Sequence, residues 1–122
     1  MRRRDFTDLE VWKKGKELRS CIYQLTQKFP KEEKNRLTDQ IVRSSRSVTA
    51  NIAEGYGRYH YQENIQFLRI ARGSLMETKD HLLVANGIGA LSQVEFEKCV
   101  GLVDDNEGLL NGYINYLKRK RA

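Results

Sequence analysis

Proline is nearly absent from this chain: Pro30 is the only one in 122 residues. Strands and long loops usually bring more proline and glycine, so a helical chain with short connections is the reading favoured at the outset. Cysteine and histidine are equally scarce, at two each. Cys21 and Cys99 lie far apart, and neither has a Cys or His at metal-ligand spacing. No HExxH or CxxC pattern occurs, so the sequence offers no metal site and implies no cofactor. Long apolar runs are missing too, which excludes a membrane-spanning helix. The N-terminus has no signal peptide pattern: Arg2–Arg4 is basic, yet Asp5–Glu10 follows in place of an apolar stretch. The expected location is the cytoplasm, where thiols stay reduced. Both cysteines are therefore expected as reduced core or near-core thiols, with a disulfide as the disfavoured alternative.

What is present is charge and helical periodicity. Hydrophobic residues make up 39% and charged residues 31%, the mixture of a solvated globular domain. The length fits one domain, which buries roughly two-thirds of its unfolded surface. The net charge of +6 is unevenly placed. Residues 1–30 carry eight Lys/Arg against four Asp/Glu, and 31–60 carry six against four. The remaining segments balance overall, but 91–122 ends in the basic run Lys118-Arg119-Lys120-Arg121. A basic half with a basic tail favours a polyanionic partner. The competing reading of the tail is a solvated terminus that suits the end of a helix dipole.

Four amphipathic segments follow along the chain. Val11, Leu18, Ile22, Leu25 and Phe29 step by seven, four, three and four, which is one helical face. This predicts a first helix over about 8–29, capped by Thr7 or Asp8 and ended at Phe29-Pro30. Leu37, Ile41, Val48 and Ile52 predict a second over 32–54, stopped by Gly55 and Gly57. Its middle, Ser44-Ser45-Arg46-Ser47-Val48-Thr49-Ala50-Asn51, is poor in good helix formers. Small residues admit a close neighbour, so two buried faces are expected there, one inside the protomer and one against another subunit. Leu68, Ala71, Leu75, Thr78, Leu82 and Ala85 predict a third helix over 61–86, with Ile65 and Leu83 beside the stripe and Gly73-Ser74 as a close-packing point. Ser92 and Glu95 form a capping box for a fourth over 92–120, whose stripe is Phe96, Val100, Val103, Leu110, Ile114 and Leu117. Short connections make sequential helices antiparallel. The expected fold is all-α: residues 1–122 as a single antiparallel, up-and-down four-helix bundle.

Enzymatic patterns are weak. Gly55-Tyr56-Gly57 follows a helix and lacks the Lys-Ser/Thr of a phosphate loop. Glu54 and Glu77 are acids on helices, but pairing with Arg43, Arg46, Arg58 or Arg72 explains them without acid–base work. The arginines are more informative. Arg36, Arg43, Arg46 and Arg58 punctuate the second helix and its exit, and a guanidinium fork suits phosphate. Arg43 divides evenly between that role and tying subunits together. Lys13, Lys14, Lys16 and Arg19 cluster on the first helix, as a polyanion surface or as a solvated face. Tyr56, Tyr59 and Tyr61 interleave with Arg58 and His60; bases can stack on such rings, although packing of a helix corner is commoner.

Several blocks resemble a known family. Phe6-Thr7-Asp8-Leu9-Glu10-Val11-Trp12-Lys13 looks like its F-x-x-L-x-V-W opening. Phe29-Pro30-Lys31-Glu32-Glu33 looks like its F-P-x-x-E turn. Ser47 to Gly55 looks like its S-x-x-x-N-I-A-E-G core, and Ala71 to Glu77 like its A-x-G-S-x-x-E. The chain thus resembles the bacterial four-helix bundle proteins named for the 23S rRNA intervening sequence, over nearly its whole length. Two departures are visible: Asn35-Arg36-Leu37 replaces an aromatic-glycine-leucine sequence, and Thr78 stands where leucine is usual. The resemblance implies an antiparallel bundle, a ring-shaped homopentamer and no enzymatic activity or small-molecule substrate. A related branch, the accessory protein of diversity-generating retroelements, implies nucleic-acid binding and a protein partner such as a reverse transcriptase.

The expected function is a non-enzymatic homo-oligomer that binds nucleic acid, structured RNA in the first instance. Lys13, Lys14, Lys16, Arg19, Arg36, Arg46, Arg58, Lys118, Arg119, Lys120 and Arg121 are the candidate contacts. Arg43, Ser44, Ser47, Asn51, Glu54, Gly55 and Glu77 are the candidate subunit interface. The alternative is an oligomeric protein-interaction scaffold without direct nucleic-acid binding.

Overall fold

The computed structural model describes residues 4–121, and 121 only in its backbone. Four helices account for most of them: α1 (Glu10–Thr26), α2 (Asp39–Gly57), α3 (Tyr61–Gly87) and α4 (Gln93–Arg121). Residue pairs across each interface fix the directions. Ser47 meets Ser74 and Ser44 meets Thr78, so α2 and α3 run oppositely. Lys79 meets Asp104 and Arg72 meets Asn111, which reverses α4 against α3. Cys21 meets Cys99 and the Lys14 carbonyl meets Asn106, which sets α1 against α4. No described helix is long and apolar enough to cross a membrane.

The predicted stripes form the core. Leu18, Ile41, Val48, Ile52, Leu68, Leu75, Leu82 and Val103 are all fully enclosed. Burial of such side chains is worth about 1.5–3 kcal/mol each relative to exposure. Leu83 is a correction: it points outward and is 53% exposed. The seven-residue steps also have an explanation. Between Val11 and Leu18 sits buried Gly15, between Ile41 and Val48 sit Ser44 and Ser45, and between Val103 and Leu110 sits Asn106. A Cβ on Gly15 would lie 2.8 Å from the Thr49 methyl and 3.7 Å from Asn106 Oδ1. The middle of the bundle is therefore a layer of small and polar residues where α1 approaches α2 and α4 closely.

Four helix boundaries differ from expectation, one of them the end of α2, which runs through Gly55 to Gly57 instead of ending at Glu54. Asp5 caps a 3-10 turn over Phe6–Asp8, its backbone N–H donating to Asp8 Oδ2 at 3.0 Å, while α1 starts after Leu9 without a side-chain cap. The apolar packing of Leu9 and Trp12 holds that start instead of Thr7 or Asp8. At its other end α1 stops at Thr26, and a turn carries the buried Phe29 into Pro30. The segment expected as the first turns of the second helix is a 3-10 turn, Lys31–Glu33, followed by a π turn, Lys34–Thr38. The wider π turn keeps Leu37 in the core while regular α geometry begins at Asp39. The Ser92 capping box is present in both directions: Ser92 N–H donates to Glu95 Oε1 at 3.0 Å, and Glu95 N–H to Ser92 Oγ at 3.1 Å.

Candidate nucleic-acid interface

The cationic side chains fall into two groups according to what surrounds them. Lys13 lies 3.5 Å from Glu10. Lys14 is partly covered and lies between Glu17 and Asp105, at 3.3 and 3.8 Å. Arg43 reaches back to Asp39 at 3.7 Å, and Arg58 sits between Glu54 and Glu63, at 3.2 and 3.8 Å. Each of these four has its field largely cancelled by a neighbour on the same surface. Exposed pairs of this kind contribute little stability, but they leave little net charge for a partner.

Lys16, Arg19 and Arg46 differ. Among the described residues none of them has a carboxylate within ion-pair distance, and aromatic rings occupy that place. Trp12, braced edge-on by Phe6 with ring centroids 5.6 Å apart, lies under both Lys16 (5.7 Å) and Arg19 (5.4 Å). The Arg46 guanidinium lies 5.9 Å from the Tyr23 ring. Helical geometry puts Trp12, Lys16 and Arg19 on one face of α1, because positions four and seven apart align. Arg19 and Arg46 then line a groove of about 560 Å³ between α1 and α2, floored by Trp12, Thr49, Ala50 and Ala53. Alanines leave room there, and Arg19 is held across the groove by Nη1 donating to Thr49 Oγ1 at 2.7 Å.

This groove continues toward one end of the bundle. Phe6 and Ala53 also line an adjoining hollow of about 630 Å³ with Arg4, Tyr56 and Tyr59. Tyr59 holds a left-handed backbone conformation (φ 61°) and is 78% exposed. The α4 tail reaches this same end, because α4 runs opposite to α1. Lys118, Arg119 and Lys120 are exposed, and Lys120 lies 5.6 Å from the Tyr116 ring and beside His60 and Tyr61. The side chain of Arg121 falls outside the described residues. Tyr113 stacks on Tyr116 at 6.3 Å, and burial pushes its phenol above the ordinary tyrosine range. Arg36 is exposed in the π turn at the opposite end of α2, apart from this track.

The seven interface candidates also separate. Arg43, Ser44, Ser47 and Glu77 border one hollow of about 500 Å³ between α2 and α3. Ser44, however, is only 3% exposed, with its hydroxyl bonded to Thr78 Oγ1 at 2.8 Å and to the Ile41 carbonyl at 3.2 Å. Gly55 is buried as well: a Cβ there would meet Asn64 Oδ1 at 2.7 Å and Phe67 Cβ at 2.9 Å. The close approach that a second subunit was expected to make at Ser44 and Gly55 is thus made within the chain by α3. Ser47 bonds Ser74 at 2.9 Å and receives Asn51 Nδ2 at 3.0 Å. Glu77 lies 3.3 Å from His81, and Glu54 holds Arg58. Gly73, expected as a close-packing point, faces open space.

Sequence reasoning passed over Phe6 and Thr49 as parts of this surface. The usable signal was the Trp12, Lys16, Arg19 spacing, which marks an aromatic-cationic face by helical periodicity alone.

The four-helix bundle, with Lys16, Arg19 and Arg46 set on aromatic rings along one face, defines the class, that of small all-α bundle proteins. The chain belongs to the 23S rRNA-intervening sequence protein family, whose model matches residues 7–112. A solved structure of similar shape is a protein of unknown function from the S23 ribosomal protein family of Bacteroides thetaiotaomicron. It is 26% identical, covers 85% of this chain and 97% of its own, and superposes with a TM-score of 0.78. No curated protein matches the chain.

Proposed function

We propose that this protein is a non-enzymatic, cytoplasmic homo-oligomer that binds structured RNA through the α1–α2 face. The observation that carries the reading is the groove framed by Arg19 and Arg46, where cations rest on aromatic rings with no carboxylate within ion-pair distance among the described residues. Such cations can turn to phosphate without breaking an ion pair, and the rings keep them extended. The family's name, which refers to an intervening sequence of 23S rRNA, supports RNA over other polyanions. Exposed apolar side chains on α3, Ile70, Met76, Leu83 and Val84, support self-association. Five copies, the number the family resemblance implies, would carry a net charge of about +30 from +6 each. Weak single contacts then add through avidity. Binding of this kind follows the backbone, weakens steeply with salt and discriminates little between sequences.

The test is a titration of a structured RNA and a DNA duplex at two salt concentrations, with solution mass measured in parallel. Salt-dependent RNA binding by an oligomer supports the reading; no binding at low salt overturns it. The second reading, a scaffold that docks a protein such as a reverse transcriptase, is favoured by the same exposed apolar side chains on α3. Partner binding that persists without any RNA effect when Lys16, Arg19 and Arg46 are neutralised would select it. A mass near 14.2 kDa, that of one chain, would remove self-association from both.

A further inference from the structure

Away from the basic face, Cys21 on α1 and Cys99 on α4 bring their Sγ atoms to 3.4 Å across the bundle. They are separated by 78 positions in sequence, so only the packing of α4 against α1 joins them. Both are free thiols. Their surroundings are unequal. Cys99 is fully enclosed, whereas Cys21 is partly exposed. Both line a groove of about 410 Å³ that opens between the two helices. Leu25 and Leu102 give it apolar walls, and its edge carries both signs of charge, Lys28 and Lys98 with Glu17 and Glu95. Lys28 is engaged with Glu95 at 2.9 Å, while Lys98 has no carboxylate within ion-pair distance among the described residues.

We infer that Cys21 and Cys99 form a redox-active dithiol site, which a small carboxylate-bearing disulfide entering this groove converts to an intramolecular disulfide. Exposure assigns the roles. Cys21, reachable from the groove, loses its proton to water and attacks one sulfur of the small disulfide. That S–S bond breaks, one thiolate departs, and a mixed disulfide remains on Cys21. Cys99 Sγ, already at contact distance, then attacks Cys21 Sγ. The second small thiolate leaves and takes up the Cys99 proton. Two protein thiols are oxidised by two electrons, and the small disulfide is reduced to two thiols. Enclosure pushes the Cys99 thiol up to about 12, with the neighbouring Cys21 adding to the effect. It therefore stays protonated, and inert to outside reagents, until the mixed disulfide is presented to it. Lys98, the edge lysine without a carboxylate partner among the described residues, suits a carboxylate of the incoming molecule. Closing the bond requires the sulfurs to approach to about 2.05 Å, a movement that two side-chain rotations share. In a reducing compartment the pair rests as thiols and closes only under oxidant. The product ties the later turns of α1, the helix bearing Lys16 and Arg19, to the first turns of α4.

The experiment incubates the full chain with oxidised glutathione and follows intact mass, non-reducing electrophoresis and melting. The expected product is a chain lighter by two hydrogens and not cross-linked to another. Its melting temperature should rise by roughly 5–15 °C, and reductant should reverse the change. Cys99→Ala should stop at one glutathione adduct on Cys21, and Cys21→Ser should form no adduct. Any of three results overturns the inference: a wild-type chain that stalls at the mixed adduct, one that cross-links only between chains, or a Cys21→Ser protein that reacts as fast as wild type. The wild-type measurement decides even if the Cys99 variant folds poorly.

Discussion

Arg19 Nη1 donates to Thr49 Oγ1 at 2.7 Å while its guanidinium lies 5.4 Å from the Trp12 ring. A long cationic side chain is thereby fixed across the α1–α2 groove, and part of its ordering entropy is lost before any partner arrives. Replacing Arg19 and Arg46 together with alanine should weaken low-salt RNA binding at least about tenfold and lower the salt slope by about two. The control pair Lys13→Ala and Arg43→Ala should change affinity by less than about threefold, because Glu10 and Asp39 already offset those charges. Fluorescence anisotropy over a salt series measures both. Equal losses from the two pairs would mean that total charge, not this groove, governs binding.

Two glycines test where the helices press together. Gly55→Ala places a methyl within 2.9 Å of Phe67 Cβ and closer still to Asn64 Oδ1, and α2 and α3 must part to admit it. The expected cost is about 1–3 kcal/mol in urea unfolding. Gly73→Ala meets nothing within 4 Å and replaces a flexible residue inside α3, so it should stabilise the protomer by about 0.5–1 kcal/mol. A destabilised Gly73→Ala oligomer with a shifted mass would place that position at a subunit contact.

These glycines also show how far the sequence could be read. Periodicity located Leu18, Ile41, Leu75 and Val103 in the core, because an apolar stripe has one low-energy destination. It misread the glycines: Gly55 reads as a helix stop and Gly73 as the close-packing point, whereas Gly55 lies inside α2 against α3 and Gly73 faces open space. The π turn at Lys34–Thr38 was equally hidden, since Leu37 keeps its place in the core whether the turn is α or π. Charge was the least legible feature. Lys13 and Lys16 look alike in sequence, yet one faces a glutamate and the other an indole. The contact between Cys21 and Cys99 had no local signal at all, because helix pairing at long range creates it.

Tyr59 offers a test of strain at the bundle end. Its φ of 61° lies in the left-handed region, where a side chain with a Cβ costs about 1–2 kcal/mol. At 78% exposure the ring recovers little of that by packing. Tyr59→Gly should therefore stabilise the protein by about 0.5–1 kcal/mol after the greater entropy of unfolded glycine is deducted. Thermal melting of the variant checks this. A fall in melting temperature would show that the ring makes contacts worth more than the strain.

Acid should loosen the start of α4 through Glu95. Its carboxylate accepts the Ser92 backbone N–H at 3.0 Å and meets Lys28 Nζ at 2.9 Å. Together these lower its pKa from 4.5 to about 2, with the backbone hydrogen bond the larger cause. A carboxyl with a depressed folded-state value stabilises the fold above its unfolded pKa, and that contribution fades as pH falls through the folded value. The window is therefore pH 4.5 down to about 2. Glu95→Gln retains an amide oxygen for the capping box but loses the charge. It should be less stable than wild type at neutral pH, and the difference in urea midpoint should shrink steadily below pH 4.5. Added salt should narrow the neutral-pH gap only in part, because it screens the Lys28 attraction more than the hydrogen bond to Ser92. A gap that stays constant down to pH 2 would mean that the charge of Glu95 contributes nothing and the cap works by geometry alone.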